Sequence, residues 1–72
     1  MVYTEDNPRY HLVKVRGMLN AVVRHCREDV EKVADAKAQA IFETTAEVLD
    51  GLITAYRRYE RELEDKSPGM AA

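Results

Sequence analysis

A single cysteine leaves no partner for an intramolecular disulfide, and no cluster of histidines and cysteines stands ready to hold a structural zinc. Proline is confined to Pro8 and Pro68. Between Met18 and Asp50 there is neither glycine nor proline, so no residue commands a turn through the middle of the chain. No stretch approaches the roughly 20 consecutive apolar residues of a membrane-spanning helix. The opening residues, MVYTEDNP, have no basic start and no apolar run, so a secretory signal is not expected and a cytoplasmic location is. Also missing are a Gly-rich phosphate loop, a serine nucleophile elbow and paired carboxylates aimed at a core. No cofactor and no catalysis by this chain alone are expected.

What remains is helix-forming sequence, rich in Ala, Glu, Lys, Leu and Arg. The stretch from Ile41 to Tyr59 carries the clearest pattern. Ile41, Thr45, Val48, Leu52, Ala55 and Tyr59 recur at alternating steps of three and four, one seam of a helix. Phe42, Leu49, Tyr56 and Leu63 form a second row beside it, while Glu43, Glu47, Asp50, Arg57 and Glu60 take the remaining surface. A seam with a flanking row is wider than a two-stranded coiled coil needs and suits a bundle helix.

Upstream, Asn7-Pro8 is a helix start: Asn7 can accept from an early backbone amide, and Pro8 gives up no donor that the first turn requires. Leu12, Val15, Leu19, Val22, Cys26 and Val33 make the seam of this first helix, with Met18 and His25 on one flank and Val23 and Val30 on the other. The expectation is an all-α single domain: helix 1 over about 8–33, a turn at about 34–36 capped by Asp35, helix 2 over about 36–65, and loose termini at 1–6 and 67–72 beyond the Ser67-Pro68-Gly69 stop. One unbroken helix is the alternative. It would place Ala40, Glu47 and Thr54 on the continued seam, and that phase fails. Folding about Asp35/Ala36 instead sets Val30 against Ile41, Cys26 against Thr45, Val23 against Val48, Val22 against Leu49, Leu19 against Leu52, Val15 against Tyr56 and Leu12 against Tyr59.

A chain of 72 residues buries only about 60% of its unfolded surface, so its core is marginal without a partner. Two helices cannot cover stripes this wide, and the expected closure is a homodimer of hairpins, a four-helix bundle. Its interface would draw on Leu12, Val15, Leu19, Val22, Cys26, Val30, Ile41, Phe42, Val48, Leu49, Leu52, Tyr56 and Tyr59. Gly51, beside the seam, would mark a close approach of backbones or a tolerated blemish. Charge sets the orientation: residues 7–27 hold Arg9, Lys14, Arg16, Arg24 and Arg27 and no acid, whereas 28–50 hold seven acids against Lys32 and Lys37. An antiparallel bundle, with turns at opposite ends, keeps the acidic ends apart.

The function this organisation suggests is a small soluble interaction or structural module that self-associates and binds another protein. Two further chemistries were weighed. Arg9, Arg16, Arg24, Arg57, Arg58 and Arg61, interleaved with Tyr10, Tyr56 and Tyr59, could hold RNA phosphates and stack bases, but the chain is net acidic and nucleic acid is not the expected partner. His25 and Asp29 share a helix face and could meet one metal ion, yet the further inward carboxylates of a metal-binding bundle are missing. Each reads more simply as a boundary residue. Cys26 reads as a small buried hydrophobe.

Overall fold

The computed structural model describes residues 6–65, so the expectations for the termini fall, Asp6 apart, outside the described residues. Within them the protein is a pair of helices, α1 (Pro8–Asp29) and α2 (Ala36–Asp65), packed against each other as a hairpin. There is no strand among the described residues. The helices lie side by side in a slab with principal extents of 55 × 22 × 13 Å, one helix thick.

Both helix starts are built as the sequence suggests. The Asn7 side chain accepts from the Arg9 amide at 2.9 Å, and Pro8 follows at the first helical position. Asp35 caps α2, its Oδ1 accepting from the Lys37 amide at 3.3 Å and its carbonyl from the Gln39 amide at 3.0 Å.

The connection differs from expectation. Helix α1 ends at Asp29 instead of running to about Val33, and residues 30–35 form the link. The helix dipole does not set this stop, since Glu28 and Asp29 stand in the last turn of α1 as it ends, with Arg27 the one base beside them. The chain tightens there: the Glu31 amide donates to the Glu28 carbonyl at 3.3 Å and the Lys32 amide to that of Asp29 at 2.9 Å. No left-handed residue closes the helix, since no described residue has positive φ. Gln39, on the first turn of α2, reaches back instead. Its Nε2 donates to the Val33 carbonyl at 2.8 Å and, at longer range, to that of Val30 at 3.4 Å. The carbonyls of the C-cap residue and of the link are thus satisfied from the other helix.

A longer link shifts the register by more than a helical turn. Arg16 stands opposite Glu60, not opposite Ala55, and Arg27 pairs with Asp50, not with Thr44. The layers expected from a fold about Asp35/Ala36 are therefore not those of the structure. The hairpin core is Val23, Cys26, Ala46 and Ile53, with Leu19, Phe42 and Leu49 packed against it. On α2 this row runs through Phe42, Ala46, Leu49, Ile53, Tyr56, Glu60 and Leu63, so the row read as a flank faces α1. The seam of Ile41, Val48, Leu52, Ala55 and Tyr59 is exposed. Two adjacent stripes of equal period cannot be ranked by periodicity alone; the small residue at Ala46, 1% exposed, lets α1 seat on one of them.

Three substitutions check this arrangement in chemical denaturation. Ala46→Leu overfills the tightest point and should cost about 1–3 kcal/mol, whereas Glu47→Ala next to it should cost well under 1 kcal/mol. Gln39→Ala removes the donor to the link carbonyls, which then depend on water, and should cost about 1 kcal/mol. Equal effects at residues 46 and 47 would sink the facing assignment.

Candidate functional site

The slab presents two unlike faces, and the contact row explains why. From that row (Arg16, Leu19, Val23 and Cys26 on α1; Phe42, Ala46, Leu49, Ile53 and Glu60 on α2), one step forward or back along the chain turns about 100° around the helix. Because the helices are antiparallel, the same step on each turns toward the same face. One step back gives Val15, Met18, Val22 and His25 on α1, and Ile41, Thr45, Val48, Leu52 and Tyr59 on α2. One step forward gives Gly17, Asn20, Arg24 and Arg27, and Glu43, Glu47, Asp50, Thr54 and Arg61. The Arg27–Asp50 ion pair joins two forward residues across the helices. The forward face is charged and the backward face is apolar.

On the apolar face Met18, Val22, Ile41, Val48, Leu52 and Tyr59 are between 44% and 63% exposed. The residues expected at an interface therefore divide. Leu19, Cys26, Phe42 and Leu49 serve the hairpin's own core, and Leu12, Val15, Val30 and Tyr56 are half-buried. Val22, Ile41, Val48, Leu52 and Tyr59 remain open. Gly51 lies at the rim of this face beside Leu52; a Cβ built there would meet nothing within 4 Å, so the hairpin itself makes no demand for glycine.

Glu60 is the residue that sequence reasoning misplaced. Set on the outer surface by its charge, it is buried in the contact row, and Arg16 Nε donates to its Oε2 at 2.8 Å. The signal was available: Ala46, Ile53 and Glu60 continue the Phe42, Leu49, Tyr56 and Leu63 row at steps of three and four. The hydrogen bond to Glu60 holds the Arg16 guanidinium above its ordinary pKa, with burial opposing and the carboxylate's charge assisting. A raised value means the stabilisation is complete below the ordinary arginine range and is lost only above it, so Arg16 stays charged wherever proteins are handled.

Around this pair the open end of the hairpin gathers Arg9, Arg16, Arg57, Arg61, Glu60 and Glu64 about one shallow groove. Four of the six arginines considered for RNA thus meet, but two carboxylates lie among them, and Arg9 Nη2 is 3.7 Å from Glu64. Arg24 and Arg58 do not line this groove. Tyr10 is exposed, packed edge-on to His11 with Lys14 Nζ 5.7 Å from its ring. At the turn end a larger groove has Cys26, Val30, Phe42 and Ala46 as apolar lining and Arg27, Glu31, Glu43 and Glu47 as charged lining.

His25 and Asp29 are not brought to a common site. His25 Nδ1 is 4.0 Å from Glu28, and Asp29 is 3.6 Å from Lys32. No group of three potential metal ligands occurs among the described residues. Cys26 is buried. No helix among the described residues is long and apolar enough to cross a membrane. Compared with protein-family models, with curated proteins and with solved structures, the chain matches none.

Truncating Arg16 would leave the Glu60 carboxylate buried without its donor. Arg16→Ala should therefore cost about 1–3 kcal/mol in urea denaturation. The double replacement Arg16→Met with Glu60→Leu should recover most of that loss, because an apolar pair removes both desolvation penalties. A double variant as unstable as Arg16→Ala would contradict the pairing.

Proposed function

We propose that the chain is a small helical interaction module that pairs with a second copy of itself through the apolar face, forming a four-helix bundle and catalysing nothing of its own. The observation that carries this reading is the row of open side chains from Ile41 to Tyr59, flanked by Met18 and Val22 and uninterrupted by charge. A row of that length spans about 27 Å, too long and too apolar for an ordinary solvated surface. Two slabs laid face to face cover each other's apolar rows with one kind of contact, as two-fold symmetry requires. Gly51 keeps the rim low, where a second backbone can come close.

The acids crowd the turn half of each hairpin, so turns at opposite ends are favoured by long-range repulsion, modestly at physiological salt. Nucleic acid is supported less well, because Arg9 and Arg16 are already engaged by carboxylates within the groove they line.

Sedimentation equilibrium tests the proposal. At physiological salt and above the protein should run at twice its chain mass, since the apolar contact is not screened. Leu52→Asp should shift it to the single-chain mass while circular dichroism keeps its helical signal, since Leu52 is 45% exposed in the hairpin. A parent protein that stays at the single-chain mass at tens of micromolar would refute it.

A further inference from the structure

The charged face has its own order. Its outer row on α2 is Glu43, Glu47, Asp50, Thr54, Arg57 and Arg61, with steps of four, three, four, three and four that read the same in both directions. Acids fill one end and arginines the other. Laid antiparallel on a copy of itself, about an axis near Leu52, the row brings Glu43 to Arg61 of the second copy and Glu47 to Arg57 of the second copy. Each contact occurs twice, and Asp50 meets Thr54 in the middle. We infer that this row is a second self-complementary surface whose occupant is another copy of the same chain, docked antiparallel through four ion pairs.

Three features of the hairpin support a second copy as the occupant. The other charges around the row are largely neutralised within the chain: Arg27 with Asp50, Arg16 with Glu60, Arg9 with Glu64. Within the row and beside the turn, those without an ion-pair partner among the described residues segregate by sign, with Glu31, Glu43 and Glu47 at the turn end, Arg57 and Arg61 at the open end and Arg24 between them, while Asp65 adds one acid just past Arg61. Nor can they satisfy one another at home. Glu47 and Arg57 stand about 15 Å apart on one rigid helix, beyond any ion pair. Finally, the groove beside Glu43 and Glu47 has an apolar floor of Val30, Phe42 and Ala46, against which the aliphatic stems of the incoming arginines can lie.

Exposed ion pairs are individually weak and screened, so this association is a low-salt one. It lies on the face opposite the apolar row and does not depend on that row being occupied. Sedimentation velocity at about 20 mM and about 500 mM salt separates the two, because only the charged contact responds to a Debye length that changes several-fold over this range. The low-salt weight-average mass should exceed the high-salt mass, about twofold where the high-salt species is one chain and further where it is two, since a dimer carries the charged row on both outer sides and can stack.

A charge swap decides the matter. Arg57→Glu with Arg61→Glu makes the row wholly acidic; Glu43→Arg with Glu47→Arg makes it wholly basic at the same sites. Each variant alone should lose the low-salt increase, and an equimolar mixture should regain it, since acid then meets base at all four contacts. Circular dichroism checks that both remain helical. An increase that persists in either variant alone overturns the inference. So does a mixture that associates no more than its parts, the result expected if the arginines serve a separate polyanion.

Discussion

Contact between α1 and α2 is one row wide, and that narrowness governs the rest of the molecule. Two helices side by side can shield from water only the strip along which they touch. In this chain the strip is Val23, Cys26, Ala46 and Ile53, with Leu19, Phe42 and Leu49 at its edges. No large side chain among the described residues is fully buried. Such a core contributes little against the entropy of ordering the chain, and the strip leaves the apolar row of Ile41, Val48, Leu52 and Tyr59 uncovered on one side.

A narrow contact also specifies register poorly, because apolar rows of equal period slide past one another at modest cost. The Arg16–Glu60 pair supplies what the apolar residues lack. The observed alignment gives the buried carboxylate a guanidinium, and displacement by a single turn would set Leu12 or Leu19 against it instead. Gln39 acts in the same sense at the other end, tying the start of α2 to the carbonyls that follow α1. Between them they hold the hairpin at both ends with polar contacts, leaving the middle to small and medium apolar residues.

Much of this was legible in the sequence. Asn7-Pro8 and Asp35 gave both helix starts, the failed phase at Ala40, Glu47 and Thr54 argued for a fold back, and the apolar stripe on α2 was visibly wider than one neighbouring helix covers. The register was not legible. It turned on where α1 stops, which no glycine or proline marks, and the contact that ties the link down comes from Gln39 on the other helix. Nor could periodicity say which of two neighbouring stripes faces inward. Leu52 and Ile53 are both large and apolar, and only the space beside Ala46 decides between them. Glu60 escaped notice because charge is ordinarily evidence of exposure; its partner sits 44 residues away on another helix, a distance no local pattern spans.

Cys26, the chain's only cysteine, lies in the contact strip itself. A sulfur so placed is largely covered while the two helices are together, with one edge on the turn-end groove, and is fully uncovered when they separate. Its rate of alkylation, set against that of the unfolded chain, therefore reports how firmly the two helices stay together, a local stability read from one atom without any added label.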